Sequence, residues 1–561
     1  MKVLIIGGVA GGAGTAARLR RNDENAEIIM FEKGEYISFA NCGLPYYIGD
    51  IITDKAALQL QTPQGFNARF GIDVRVKNEV IGVDTSEKIV TVKKLDSGEI
   101  YTESYDVLVV STGASPVRPP IHGIEKNKVF TLRNIPDTYA IKDHIEQYKP
   151  KTAAVIGGGF IGIEMAENLH ALGIEVSIVE AQSHIMATMD SDMTYDLHNH
   201  IRSKGVSLYL NSLATEFTEN SVILKNGTEV PADMVILSIG VSPETKFLKD
   251  SGIELGARGE ILVDDHLRTN ITDVYALGDA VSVKNIVTNQ VSVVPLASPA
   301  NRQARVVTDI ISGKDCRYSG AQGTAIAKIF DMVAASTGAG EKALQAAGIK
   351  YHKTFTFSGS HAGYYPGGHS MLVKLLYSPE GIILGGQIVG YEGVDKRIDQ
   401  IATAVRHNFT IYDLQELELA YAPPFSSAKD PINMAGYTAS NVLEGAFHPF
   451  YIEDINNLPE NAQLVDVRTA EEYARGTIGN AVNIPLDDLR GHLDELDKNK
   501  KVYVFCQIGL RGYLAERILA QKDFEVENLS GGYRLYEAYQ NDQNAIGISN
   551  RNYEYCGKEK N

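Results

Sequence analysis

The segment Thr152–Glu164 reads TAAVIGGGFIGIE, and its reading decides the fold. The apolar run Ala153–Ile156 suits a short strand, and Gly157, Gly159 and Gly162 follow it in G-x-G-x-x-G spacing. A helical pattern then runs through Leu172, a second strand covers Glu175–Val179, and Glu180 closes it. Glycines at these places let a strand-to-helix turn tighten and let backbone approach a pyrophosphate. The helix N-terminus adds free N–H groups, and an acid after the second strand suits a ribose 2′-hydroxyl. Ala181, Gln182 and Ser183 include no arginine to accept a 2′-phosphate, which favours NADH over NADPH.

The same plan opens the chain. Lys2–Ile6 is strand-like, Ile6–Gly14 reads IGGVAGGAG, a helix extends to about Asn22, and Glu27–Phe31 is strand-like again. Gly7 and Gly12 fit the fingerprint, Val9 stands where its second glycine belongs, and Glu32 lies 32 − 12 = 20 residues after Gly12. Alone, this copy also fits a glycine-rich turn without a ligand. Two βαβ units in one chain suggest two nucleotide sites. Two further turns follow apolar strands: Ser111–Pro116 (STGASP), with Thr112 and Gly113, and Val274–Ala280 (VYALGDA), with Asp279.

A length of 561 residues suggests about three to five domains. With 44% hydrophobic and 22% charged residues, the composition is that of a globular protein and excludes disorder as the main state. The formal charge of −17 argues against nucleic acid or an anionic membrane as partner. The 4 cysteines, Cys42, Cys316, Cys506 and Cys556, have no paired spacing, so neither a disulfide framework nor a metal centre is expected, and a reducing compartment fits. The N-terminal apolar run is too short for a signal peptide, and no stretch approaches the ~18–20 apolar residues of a bilayer span. The expectation is a cytoplasmic protein.

With these four motifs in order, residues 1 to about 440 resemble the two-dinucleotide-binding flavoprotein disulfide reductases. The resemblance implies FAD at the first fingerprint (Gly7, Val9, Gly12, Glu32, Lys33, Thr112, Gly113 and Asp279). It implies NAD(P)H at the second (Gly157, Gly159, Gly162 and Glu180). Many members carry a redox pair C-x4-C, whereas the stretch SFANCGLPYYIG holds Cys42 alone. The second sulfur must then come from a substrate thiol or a persulfide, unless oxygen supplies a sulfenic acid. A neighbouring helix dipole is expected to lower the Cys42 pKa.

SFANCGLPYYIG is very similar to the corresponding stretch of coenzyme A-disulfide reductases and their persulfide-reductase relatives. YYPG (Tyr364–Gly367) and YAPPFSSAKD (Tyr421–Asp430) resemble segments that reach the cysteine site from a partner subunit in that family. The resemblance implies a homodimer and makes Tyr421 a hydrogen-bond or proton donor, with Tyr364 or Tyr365 beside it; which of the two acts stays open. It also places Arg18, Arg21, Ser38, Asn41, Asn301 and Lys429 against coenzyme A.

The C-terminal stretch reads LVDVRTAEEYARGTIGNAVNIP, VYVFCQIGLRG and LSGGYRLY, and resembles single-domain rhodaneses. By that resemblance Cys506 is the nucleophile. Backbone N–H groups curling around its sulfur would favour thiolate and persulfide, and Arg511 can add positive charge. The loop is C-x4-R, tighter than the C-x5-R phosphate cradle, and its apolar Ile508 and Leu510 disfavour thiosulfate as donor. Cys316 and Cys556 receive no role.

The expected architecture is α/β. An FAD-binding domain covers 1–115 and 250–322, an NAD(H)-binding domain 116–249, and an α+β dimerisation domain 323–446. A linker at 447–461 then leads to an α/β rhodanese domain at 462–555, with a polar tail from Asn550. The expected activity is NADH-dependent reduction of coenzyme A persulfide, and of polysulfide and coenzyme A disulfide. The alternatives are an NADH oxidase or peroxidase cycling through a sulfenic acid, and a redox-sensing sulfur carrier.

Overall fold

A computed structural model describes residues 1–546. Cys556 and the polar tail from Asn550 lie outside the described residues. The chain divides into two units, Met1–Ala181 with Ser212–Gly323, and Gln182–Asn211 with Thr324–Asn561.

In the first unit, Lys2–Ile6 lies between Glu27–Glu32 and Val107–Val110, with Asp73–Val76 and Val274–Ala276 at the edges, all parallel. Val3, Leu4 and Ile5 are fully buried, in one core with Ala13, Ala16 and Leu19 of the helix Ala10–Asn22 and with Val80, Val83, Val90 and Val92, so the strand has no polar side. The βαβ plan repeats with Thr152–Ile156 between Glu175–Val179 and Met234–Leu237, and Val129–Phe130 pairs beyond the latter. The turn-rich stretch after the first sheet is an antiparallel meander, Asn78–Asp84, Ile89–Lys94 and Ile100–Ser104.

The second unit holds two sheets. Five antiparallel strands run in the order Ala325–Ile329, Met332–Gly338, Ile383–Gly390, Ser370–Tyr377, His352–Gly359. The C-terminal sheet is parallel, in the order Pro449–Phe450, Val526–Leu529, Val502–Phe505, Gln463–Asp466, Val482–Asn483.

One expected boundary moves. The segment 447–461 is no free linker. Pro449–Phe450 is an edge strand, Phe450 is buried, Tyr451 donates its hydroxyl to the Lys353 carbonyl, and Glu453 pairs with Lys353. A two-residue strand carries no readable period. The stretch Gln182–Asn211 groups with the second unit. Its helix Tyr195–Ser203 packs on the last described helix, Gly532–Ala545, where His198 and Arg202 both meet the buried Asp542. Asp190 and Asp192 of the same stretch surround the buried Lys374 together with Glu341.

Candidate active site

At the first fingerprint the chain leaves its strand at Gly7, whose φ of +104° and position against the Ser111 carbonyl exclude a side chain. A Cβ on Gly12 would lie 1.8 Å from the Gly7 carbonyl oxygen, so the helix Ala10–Asn22 reaches the strand only with glycine there. Val9 caps this helix at an ordinary φ of −103°, which is why the fingerprint tolerates valine at that place. Glu32 accepts the N–H groups of Gly8 at 2.8 Å and Gly34 at 2.7 Å, which fixes the acid at the mouth of the cradle. The Thr112 hydroxyl is buried and makes no hydrogen bond among the described residues, as fits a polar atom awaiting a ligand. Lys33 pairs with Glu244.

The second fingerprint repeats this construction. Gly157 has φ +106°, a Cβ on Gly162 would sit 2.0 Å from the Gly157 carbonyl, and open space faces Gly159. Glu180 accepts the Gly158 N–H at 2.7 Å, as Glu32 does for Gly8. Both cradles therefore suit a dinucleotide.

Cys42 lies exposed in the one-turn helix Asn41–Gly43, followed by the short helix Leu44–Ile48. Its thiol is pushed above the ordinary value, first by desolvation from the protein behind it and then by the carboxylates of Glu164 and Asp279. This corrects the expected lowering. The helix after Cys42 has 5 residues, too few for a large dipole to outweigh two acids.

Glu164 was not singled out by the sequence reading, although it ends the segment quoted first. Burial drives its carboxyl up to about 7, and the Tyr46 hydroxyl reaches its Oε1 at 3.4 Å. Arg133 also escaped notice. It opposes the burial that raises Asp279, and a Cβ on Gly113 would approach its guanidinium to 2.7 Å. With the Asn41 amide oriented to satisfy both its atoms, that side chain donates to the Arg133 carbonyl and accepts from its guanidinium, each at 2.9 Å.

The residues expected against coenzyme A are distributed unevenly. Arg18 is held bidentate by Asp309, with Nη2 at 2.7 Å from each oxygen, and Asp309 is pulled down to about 2 chiefly by that contact. Arg21 is exposed on the same helix. Ser38 holds a left-handed φ of +44° and donates its N–H to the Gly8 carbonyl, beside the first cradle. Asn301 is exposed on the helix Ala297–Ile311, its amide turned back to the Ala297 carbonyl.

In the second unit Tyr364 and Tyr421 share a hydroxyl–hydroxyl hydrogen bond of 2.6 Å, both rings exposed. Tyr365 instead packs edge-on against His361. The geometry therefore separates the adjacent tyrosines, and Tyr364 is the one beside Tyr421. The segment 421–430 is anchored from below. Arg397, buried, donates to Asp430 at 2.9 Å and to Ser426 at 3.0 Å, leaving Tyr421, Phe425 and Lys429 exposed.

Cys506 directly follows the strand Val502–Phe505 and is fully buried. The Gly509 N–H donates to its sulfur at 3.2 Å. Arg511 forms a two-pronged pair with Glu472 at 2.6 and 2.7 Å.

Family comparison matches residues 1–304 to the pyridine nucleotide-disulphide oxidoreductases, 324–431 to the dimerisation domain of that family, and 452–539 to rhodanese-like domains. The coenzyme A disulfide reductase of Staphylococcus haemolyticus is 37% identical over 79% of this chain and 100% of its own length. The crystal structure of reduced Bacillus anthracis CoADR-RHD is 47% identical with a TM-score of 0.94, covering 96% of this chain and 98% of that one. An NAD-dependent persulfide reductase from A. fulgidus is 35% identical, with a TM-score of 0.90 over 96% of this chain and 100% of the other. The water-forming NADH oxidase of Lactobacillus brevis is similar at 27% and 0.76, over 80% of this chain and 99% of that one. Among the described residues no helix is long and apolar enough to cross a membrane. With both dinucleotide cradles, the lone Cys42 and the appended sulfur loop in place, the chain belongs to the pyridine nucleotide-disulphide oxidoreductases, FAD- and NAD(P)H-dependent enzymes, on the coenzyme A disulfide reductase branch that carries a rhodanese-like domain.

Proposed function

We propose that this protein is a cytoplasmic, homodimeric reductase that uses NADH to reduce coenzyme A persulfide, and also polysulfide and coenzyme A disulfide. The observation that carries the reading is Cys42, exposed in the unit that holds both dinucleotide cradles, with no second cysteine near it in the sequence. Gly7, Gly12, Glu32, Thr112 and Asp279 would hold FAD, and Gly157, Gly159, Gly162 and Glu180 would hold NADH. Glu180 and the arginine-free stretch after it support the preference for NADH.

The Cys42 thiolate attacks the coenzyme A-bound sulfur of the persulfide. A Cys42–S–S–coenzyme A disulfide forms, the sulfur–sulfur bond of the persulfide breaks, and hydrosulfide leaves with the electron pair. When bound, FAD would supply the two-electron reduction, with electrons from NADH, that reopening a disulfide at Cys42 requires. Tyr421, with Tyr364 on its hydroxyl, donates to the departing coenzyme A thiolate. In a homodimer the exposed segment 421–430 of a second copy is available for that task, and Arg21, Ser38, Asn41, Asn301 and Lys429 for binding coenzyme A. Arg18, tied to Asp309, would act as a positioning residue there. Cys506 relays sulfane sulfur to coenzyme A.

Anaerobic oxidation of NADH by coenzyme A persulfide tests the reading. Turnover should disappear in Cys42→Ser. Full activity in that variant, or equal NADH consumption by oxygen alone, would overturn it.

A further inference from the structure

The loop Cys506–Arg511 contains one cation, Arg511. Both of its terminal nitrogens are engaged, Nη1 with Glu472 Oε2 at 2.6 Å and Nη2 with Oε1 at 2.7 Å. Such a fork-to-fork pair is electrically neutral and directional. Glu472 is fixed from its other side as well. It belongs to the first turn of the helix Ala470–Ala474, where it accepts the Thr469 N–H at 3.0 Å.

The next guanidinium is also matched. Arg468 is buried on Asp466, with Nη2 at 2.7 Å from Oδ2, and stacks over Tyr533 at 3.9 Å. Towards Cys506 itself, the Gly509 N–H donates at 3.2 Å, and the Arg511 guanidinium reaches the sulfur while it is held chiefly by Glu472. The helix Leu510–Ala520 that opens at the loop exposes Leu510 by 58% and Leu514 by 44%, four residues apart and so on one face.

These features sort sulfur donors by charge. Thiosulfate brings two negative charges and must expel sulfite with both. An organic persulfide brings at most one, on its terminal sulfur, together with an uncharged carbon arm. We propose that Glu472 determines the specificity of the Cys506 site: by cancelling Arg511 it turns the loop away from oxyanion donors and toward organic persulfides, whose arm lies over Leu510 and Leu514. The inference rests on the reading of Cys506 as a sulfur carrier. In the step, the Cys506 thiolate attacks the terminal sulfur of R–S–SH. A Cys506–S–SH persulfide forms, the S–S bond of the donor breaks, and RS⁻ leaves with the bonding pair. The sulfur moves without net oxidation or reduction.

The test uses the full-length chain with Cys42→Ser, so that no sulfur is reduced away. Pantetheine persulfide and thiosulfate are the two probes, and peptide mass spectrometry reads the extra sulfur on Cys506. Pantetheine persulfide should load at least about ten-fold faster than thiosulfate, the effect of about 1.4 kcal/mol from one partly screened charge. Glu472→Gln keeps a side chain able to cap the helix but removes the charge. It should raise thiosulfate loading about ten-fold by the same reckoning and leave persulfide loading within about two-fold. Equal loading of the unsubstituted loop from both probes overturns the specificity while leaving Cys506 a carrier. No loading from either overturns the carrier reading itself. A folded Glu472→Gln chain with unchanged thiosulfate loading removes Glu472 from the role, and the comparison of the two probes stands without that variant.

Discussion

The hydroxyls of Tyr364 and Tyr421, 57 residues apart in sequence, meet at 2.6 Å on the exposed side of the antiparallel domain. Of the two hydroxyls, one donates and the other accepts, so the pair holds a fixed proton direction only when a third group takes the free hydrogen. A departing thiolate is such a group. Tyr364 has its phenol pushed up, first by the hydrogen bond with Tyr421, and stays neutral through the physiological range. Replacing Tyr421 by phenylalanine should therefore lower kcat for coenzyme A persulfide by about 10²-fold, the low end of general-acid contributions. Tyr364→Phe should cost about ten-fold by orientation alone. Tyr365→Phe, away from the pair, should leave kcat within about two-fold. Steady-state kinetics on the three variants decides this, and a Tyr365 effect larger than that of Tyr421 would reverse the assignment.

The acid pair around Cys42 gives a pH prediction with a definite sign. Glu164 titrates at about 7, so below that pH it is neutral and above it the carboxylate repels the Cys42 thiolate. Alkylation of Cys42 by iodoacetamide should then rise with pH less steeply above 7 than a simple thiol would, because each gain in thiolate is opposed by Glu164 ionising. Glu164→Gln removes that opposition. Its alkylation rate at pH 8 should increase by about three- to ten-fold, the effect of roughly half to one pKa unit from one nearby charge. An unchanged or slower rate would mean that the carboxylate does not govern the sulfur.

Much of this was readable from local sequence, because the signals are short-range. Gly157 and Gly162 sit five residues apart and touch through their own backbone, so spacing alone reports the cradle. Val9 departs from the pattern without harm, since the turn there needs no positive φ. The strand Val502–Phe505 was legible to the residue as an apolar run ahead of Cys506. Relations spanning hundreds of residues left no such trace. Asp309 on Arg18 is 291 residues away, and a surface arginine and a tethered one are identical in sequence. Glu164 looked like ordinary helix charge, and only burial beside Tyr46 raises its carboxyl. Pro449–Phe450 resembled a linker because a two-residue strand is defined by its partner, Asn528–Leu529.

That same long-range order bears on whether the rhodanese-like domain swings. Its last described helix is fixed within the second unit by Asp542, which is 2% exposed and takes His198 at 3.0 Å and Arg202 at 2.6 Å, while Asn199 donates to the Ala538 carbonyl at 2.9 Å. Burial keeps His198 neutral, so Arg202 supplies the charge that Asp542 must balance. The Asp542 carboxyl lies below its ordinary value of 3.8. Its stabilisation is therefore present above that value and lost as pH falls through the lower folded one, which leaves it whole at neutral pH. Removing the carboxylate by Asp542→Ala strands a buried guanidinium, at about 3–5 kcal/mol. Amide exchange across Gly532–Ala545 should accelerate accordingly, and proteolysis after residue 446 should follow. Lys522→Ala, at an exposed side chain, should alter neither by more than about 0.5 kcal/mol. If Asp542→Ala leaves exchange unchanged, the ion pair does not fasten the domain. If exchange rises while sulfur delivery to coenzyme A is no faster, the travelling part is the thiol arm of the substrate and not the protein.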